Sequence, residues 1–331
     1  MNSYKTAGVD IEAGERTVEQ IKPLVRATFN ERVLADIGGF GGLYDVSFLK
    51  EYERPVLVSS VDGVGTKLKV AVMAGVHRGV GHDLVNHCIN DIAVCGAVPI
   101  YFLDYFATGK LDEAVAVEVI AGFAEACSAN DCALIAGETA EMPSMYADGE
   151  YDLAGTIVGV VEHDRIVTGQ NVAAGDVLLG LPSNGLHTNG YSLARAALFP
   201  RYGVDDHVDE LGCSIAEALL RPHLSYLKAI QGTVDIEGVH AYSHITGGGI
   251  VGNTSRVVRD PLALNIDWQA WERPPIFGLI QQAGNIAEEE MRPAFNLGIG
   301  LVMAVAADAV DAVTARLKEI GERPVVMGHV S

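Results

Sequence analysis

Four short stretches of this sequence carry oxygen-bearing side chains in patterns that suit cation and phosphate chemistry. The first is Asp62-Gly63-Val64-Gly65-Thr66-Lys67, directly after the apolar run Pro55–Val61. A carboxylate at a strand end can hold a hard cation. Two glycines let backbone close on phosphate oxygens, and Thr66 and Lys67 add a hydroxyl and a positive charge. This is not a Walker A loop, because the glycine spacing differs and Thr precedes Lys; the plain alternative is a strand–turn–helix link with a surface lysine. In the second stretch Asp83, His87, Asn90 and Asp91 fall at i, i+4, i+7 and i+8, while Leu84, Cys88, Ile92 and Cys95 define another helix face. A solvated face normally mixes Lys and Glu, whereas this stripe has only short carboxylate, amide and imidazole groups. Third, Asp104 interrupts IYFLDYF, where a carboxylate is costly unless paired or set at a strand mouth. Fourth, Glu138 and Glu141 stand in GETAEMP, just past the expected strand CALIA. Oxygen ligands without clustered His or Cys point to Mg²⁺ and not to zinc.

Two later loops add anion-binding and proton-transfer groups. Ser183, Asn184, His187, Thr188 and Asn189 lie in PSNGLHTNG, which opens the helical pattern YSLARAAL. Hydroxyl and amide groups at a helix start can hold an anion, and a histidine can exchange a proton near neutrality; the same letters also make an ordinary capped loop. The run from His244 through Thr246, Gly247, Gly248 and Gly249 to Gly252 reads as a phosphate-holding glycine loop before a helix. Gly247, Gly249 and Gly252 also satisfy GxGxxG, with Asp267 20 residues beyond the first. A dinucleotide site would need an apolar strand opening a βαβ unit, and the preceding VHAYSHIT is studded with His and Ser instead.

These groups must be positioned by a mixed α/β framework. Strands are predicted over Pro55–Val61, Ile100–Phe106, Ala133–Ala136, Ala154–Val161, Val177–Leu181, Gly238–Ile245, Leu262–Ile266, Gly298–Ala306 and Pro324–Val330. Helices are predicted over Gly81–Cys95, Asp112–Ser128, Gly190–Phe199, Ile215–Leu220, Leu224–Ile230 and Ala309–Ile320, with Asp112 and Asp308 as N-caps. The first 50 residues show little periodicity before Val46. They carry Lys5, Asp10 and Glu12, then GGFGG at 38–42, and read as either a frayed end or a ligand-covering loop. The expected division is 1–50 as an arm, 51–168 as a first domain and 169–331 as a second.

Composition bounds the partners. The 331 residues are 49% apolar and 20% charged, which excludes a disordered chain. A net charge of −20 argues against coating nucleic acid or an anionic membrane. The start is acidic by position 10, without the apolar core of a signal peptide, and the longest uncharged apolar run, 92–103, is too short to cross a bilayer. The five cysteines form no CxxC pair and read as reduced thiols. A soluble, cytoplasmic protein is expected.

Taken in order, SYKTAGVDIEAG, GGFGGLYD, SVDGVGTK, DLVNHCIND, FLDYFATGKLD, GETAEMPSMY, SNGLHTNGYSLAR, HITGGG and GNIAEEEMRPAFNLGIG resemble the aminoimidazole ribonucleotide synthetase family, the phosphoribosylformylglycinamidine cyclo-ligases of purine biosynthesis. The resemblance spans nearly the whole chain. Two places depart from it: Ser144 stands where Gly is usual, and the acidic residue usual near Gly252 is missing. It implies ATP-dependent ring closure of formylglycinamidine ribonucleotide to aminoimidazole ribonucleotide, ADP and phosphate through an imidate phosphate. It implies Mg²⁺ on Asp62, Asp91 and Glu138. ATP and phosphate contacts would come from Gly39, Gly41, Gly63, Gly65, Thr66, Lys67, Asp104, Asn189, Thr246, Gly247 and Gly248. Catalytic roles would fall to Asp62, Lys67, and His187 or His244 as the base, with His87 a further candidate. The implied fold has two α/β domains, the first giving four strands to an eight-stranded barrel across a homodimer. The alternatives are a superfamily kinase of the thiamine phosphate type, a nicotinamide-dependent oxidoreductase and a non-enzymatic scaffold.

Overall fold

The computed structural model describes residues 8–331, so Lys5 lies outside the described residues. It divides into two compact units. The described residues through Ile92 form one with Val98–His163; Ala93–Ala97 and Asp164–Ser331 form the other.

The first unit contains α1 (Ile11–Arg26), β1 (Pro55–Gly63), α2 (Lys67–Ala74), α3 (Arg78–Ala93), β2 (Val98–Thr108), α4 (Glu113–Ala129), β3 (Ala133–Glu141) and β4 (Tyr151–Glu162). Its sheet runs β1-β4-β2-β3. β2 and β3 are parallel, joined by α4 as a parallel pair requires, and the other pairs are antiparallel. One register row crosses all four strands: Asp62 faces Gly155, Gly155 faces Asp104, and Asp104 faces Gly137. Asp62 and Asp104 therefore share one sheet face, two strands or about 10 Å apart.

Helix α1 corrects the expectation of an aperiodic arm. It buries Ala13, Thr17, Ile21 and Val25, a four-residue period, and packs on α4 and β3. Half of that stripe is Ala and Thr, which carry little hydropathy signal. Asp112 caps α4, accepting from the N–H groups of Ala114 and Val115 at 2.9 and 3.2 Å. Asp308 is not a cap; Ala309 holds that position. Ser144, where the family carries glycine, adopts a left-handed φ of 70°, the geometry that favours glycine.

The second unit contains β5 (Val177–Pro182), α5 (Tyr191–Leu198), β6 (His207–Val208), β7 (Cys213–Ser214), α6 (Ile215–Leu219), α7 (Leu227–Thr233), β8 (Val239–His244), α8 (Gly249–Thr254), β9 (Leu264–Ile266), α9 (Pro275–Gly284), α10 (Glu288–Ala294), β10 (Ile299–Val305), α11 (Val310–Glu319) and β11 (Val325–Val330). Its five-stranded sheet, β8-β10-β5-β11-β9, is antiparallel at every pair. The core gathers Leu178, Ala241, Ile250, Trp271, Val302 and Met327. Because β8 pairs antiparallel with β10, Gly247–Gly252 does not open a parallel βαβ unit, and the dinucleotide reading falls. α8 is the helix expected behind the glycine loop, whereas α9 and α10 were not expected: glycine or proline interrupts both, and α10 buries only Met291, too little to show a period.

Candidate active site

In the first unit, β1 and α3 bring carboxylates together. The even positions of β1 turn inward, so Ser60 and Asp62 face α3 while Leu57 and Val61 stay exposed. The Ser60 hydroxyl lies 3.1 Å from both Asp62 Oδ2 and Asp91 Oδ2. His87 Nε2, one turn before Asp91, is 3.5 Å from Asp62 Oδ1 and 3.9 Å from Asp91 Oδ2. Burial, then the hydrogen bond and negative charge of Asp91, push the Asp62 carboxyl up to about 7, with Ser60 opposing them. The polar stripe of α3 is thus not a wet face: Asp83, His87 and Asn90 are buried.

That stripe serves two places. Asp83 stands eight residues before Asp91, about 12 Å along the helix, and pairs with Lys67 at 2.7 Å, both side chains fully buried. Burial lowers the Lys67 ammonium's pKa, and Asp83 opposes the shift. Lys67 is therefore no surface lysine. It fastens the start of α2 to α3, directly below the Gly63–Thr66 turn, where Gly65 has φ 69°.

A second group of carboxylates borders a cavity of about 320 Å³. Asp104 and Glu138 line it with α1, the segment Leu134–Thr139, and Gly38, Gly39 and Gly41 of the arm. Asp104 lies so close over Gly137 that a Cβ there would fall 2.1 Å from its Oδ1. Burial raises the Asp104 carboxyl to about 7. Gly42 likewise leaves no room for a side chain against Ile135, which seats the arm on β3. The expected metal set is divided: Asp62 and Asp91 meet, while Glu138 is exposed in the row beside Tyr105, one position past Asp104. Glu138 and Glu141 lie within β3 and not beyond it. Glu141 is occupied structurally, accepting from the N–H groups of Asp10 and Leu111 at 2.8 Å each.

The second unit joins the two later loops. The side-chain oxygen of Asn189 lies 3.3 Å from where a Cβ on Gly247 would stand. Asn253 Nδ2 donates to the carbonyls of Thr246, Gly247 and Gly249, and the Thr246 hydroxyl meets Asn253 Oδ1 at 3.2 Å. His187 is fully buried with a left-handed φ of 59°. Between it and His244 lies His223, which sequence reasoning missed. Its ring stacks on His187 with centroids 4.0 Å apart, and its Nε2 is 2.9 Å from His244 Nε2. The segment RPHLSYLK has no motif that would have marked it.

These features define an α/β protein with clustered carboxylates in its first unit and a buried histidine cluster in its second. Residues 45–161 match the N-terminal domain, and residues 173–331 the C-terminal domain, of AIR synthase related proteins. The chain belongs to that family. It is 48% identical over 330 residues to the phosphoribosylformylglycinamidine cyclo-ligase of Trichlorobacter lovleyi, covering 99% of this chain and 94% of the relative. It is 50% identical over 329 residues to that of Anaeromyxobacter sp. (strain Fw109-5), covering 99% and 95%. Among solved structures, thiamine-monophosphate kinase from Stenotrophomonas maltophilia K279a is similar with a TM-score of 0.70 at 16% identity, covering 94% and 93%. A hydrogenase maturation protein HypE in complex with ATP is similar with a TM-score of 0.68 at 15% identity, covering 96% and 86%. These two likenesses establish the fold.

The electrostatic pairing is directly testable. The folded protein holds the Asp62 proton more tightly than an unfolded chain. The stability it lends is present below the ordinary carboxylate pKa of about 4 and is lost as pH rises through about 7. A carbon-13 NMR titration should place the Asp62 midpoint near 7. In Asp91→Asn it should fall while staying above 4, since burial remains. An unchanged midpoint in the variant would show that Asp91 has no part in the shift.

Proposed function

We propose that this chain catalyses the ATP-dependent cyclisation of formylglycinamidine ribonucleotide to aminoimidazole ribonucleotide, with release of ADP and phosphate, in purine biosynthesis. It is a carbon–nitrogen bond-forming ligase. The observation that carries the reading is near-full-length identity of 48–50% to relatives bearing the cyclo-ligase name. The kinase and HypE share the fold at a third of that identity.

The chemistry asks for few tools. An amide oxygen is a weak nucleophile, and an unmodified oxygen leaves carbon poorly. The formyl oxygen attacks the γ-phosphorus, the bond to ADP breaks, and an imidate phosphate results. The amidine nitrogen then attacks that carbon and inorganic phosphate departs, so phosphorylation solves the leaving-group problem. Asp62 and Asp91 suit an oxygen-preferring cation, because two half-buried carboxylates repel and are relieved by a positive charge. They would hold Mg²⁺, with Glu138 as a further candidate ligand; the ion would supply neutralisation of phosphate charge. Gly63, Gly65 and Thr66 offer backbone and hydroxyl groups to the phosphates, and Lys67, paired with Asp83, anchors that turn from beneath. Gly39, Gly41 and Asp104 line the cavity and would border the nucleotide there. Asn189, Thr246, Gly247 and Gly248 hold anionic oxygen, and His187 or His244 takes the proton from the attacking nitrogen.

We also propose a cytoplasmic homodimer whose contact closes two four-stranded sheets into one barrel. Leu57 and Val61 support it: on the same face of edge strand β1 they are 59% and 68% exposed, a costly arrangement for a free sheet. Among the described residues no helix is long and apolar enough to cross a membrane.

ATP labelled at the γ-phosphate separates ligase from kinase. With formylglycinamidine ribonucleotide the label should appear wholly as inorganic phosphate, one per ring closed, with little turnover when that substrate is omitted. Label retained on the organic product would make the chain a kinase. Sedimentation at micromolar concentration should give a dimer, and a species of monomer mass alone would remove the barrel.

A further inference from the structure

The run RPAFNLGIG, residues 292–300, carries no role so far, yet both loops of the second unit are built on it. The Gly248 N–H donates to the Pro293 carbonyl at 3.0 Å, and a Cβ on Gly249 would fall 1.8 Å from the Arg292 carbonyl oxygen. A Cβ on Gly190 would fall 2.3 Å from the Phe295 ring, and one on Gly300 would fall 2.8 Å from His187 Cε1. Asn296 lies within the same run and is only 2% exposed. We propose that Asn296 is a positioning residue for the phosphate-holding loops, clamping 183–190 onto the segment that also carries Gly247–Gly249. The proposal rests on the reading that Asn189 and the glycine loop hold anionic oxygen.

The clamp joins the chain after β5 to the chain after α10. Asn296 Nδ2 donates to the Gly185 carbonyl at 2.9 Å, and Asn296 Oδ1 accepts from the Gly298 N–H at 2.9 Å. The Ser183 hydroxyl lies 3.0 Å from the same Oδ1, and the Ser183 N–H donates to the Gly298 carbonyl at 2.8 Å. A carbonyl needs a donor and an N–H needs an acceptor, so the amide cannot turn over without losing both backbone partners. The other loop is fastened three and four residues earlier, through Pro293 and Arg292. Both loops therefore take their position from one short segment. That common footing matters where they meet: Asn189 Oδ1 lies 3.3 Å from where a Cβ on Gly247 would stand. Without the amide of Asn296 the start of its loop can drift, and Asn189 at the far end drifts with it, away from the geometry that a bound anion requires.

The test reads the glycine loop while the change is made in the clamp. Proton–nitrogen NMR of the full chain follows the backbone amides of Gly247 and Gly248 during titration with inorganic phosphate. In the parent both signals should move and saturate. Asn296→Ala should weaken the fitted affinity on the order of tenfold. Ser183→Ala keeps the Asn296 bonds to Gly185 and Gly298 and should weaken it about threefold, the usual worth of one neutral hydrogen bond. It decides the matter alone if Asn296→Ala does not fold. With formylglycinamidine ribonucleotide and ATP, kcat should fall in the same order, on the order of 10–100-fold in Asn296→Ala. A lowered melting temperature is expected of any buried amide, so the phosphate response of the folded protein separates the two roles. Parent-like phosphate affinity in the variants that fold overturns the clamp and leaves the anion-holding loops standing. Gly247 and Gly248 amides that ignore phosphate in the parent itself refute the anion-holding reading, and the proposal falls with it.

Discussion

Two carboxylates are held against each other, and much of the first unit exists to hold them there. Asp62 comes from β1 and Asp91 from α3, and the Ser60 hydroxyl lies within 3.1 Å of each. Burial first, and then the hydrogen bond and negative charge of Asp91, push the Asp62 carboxyl up to about 7, so holding both groups charged costs free energy. Full pairing of β1 along β4 fixes the inward side of Asp62. The buried Lys67–Asp83 pair pins α3 to the start of α2, and the near absence of exposed surface along α3 prevents the helix from moving away. Removing one partner of such a buried pair typically costs about 3–5 kcal/mol, because the other charge is stranded. The same interaction that locks the helix therefore preserves the repulsion that a cation with bound phosphate would relieve.

The carboxylates of the candidate site were legible because each breaks a local rule. Asp62 ends an apolar strand, Asp104 interrupts one, and the α3 stripe lacks the long charged side chains of a wet surface. The strands were legible for the complementary reason, being apolar runs bounded by glycine and polar residues. Helix α1 was hidden because its inward stripe uses Ala13 and Thr17 beside Ile21 and Val25. Glu141 misled in the other direction: its place past the expected strand CALIA suggests a ligand, yet it lies within β3 and its two oxygens are committed to the N–H groups of Asp10 and Leu111. Spacing marks a carboxylate as unusual but does not say what satisfies it.

The second unit shows the same limit more sharply. His187 and His244 stood in recognisable loops, so both were found. His223 contacts them across 36 and 21 residues of sequence from a segment with no motif, and only folding gives it meaning. The antiparallel sheet also removes the reading that GxGxxG invited, since the glycines follow an antiparallel strand and the first of them, Gly247, lies against Asn189. Here glycine serves close approach between two loops of the same unit.

The proposed function requires the Asp62–Asp91 repulsion to be resolved by a divalent cation carried with ATP. Calorimetric titration of ATP at pH 8, with and without Mg²⁺, tests it most directly in the parent and in Asp91→Asn. The parent should bind ATP at least about tenfold more tightly with Mg²⁺ present. The folded variant should lose most of that enhancement while binding metal-free ATP as the parent does. If Asp91→Asn keeps the parent's full magnesium dependence, the paired carboxylates do not hold the cation and the account of this site is wrong.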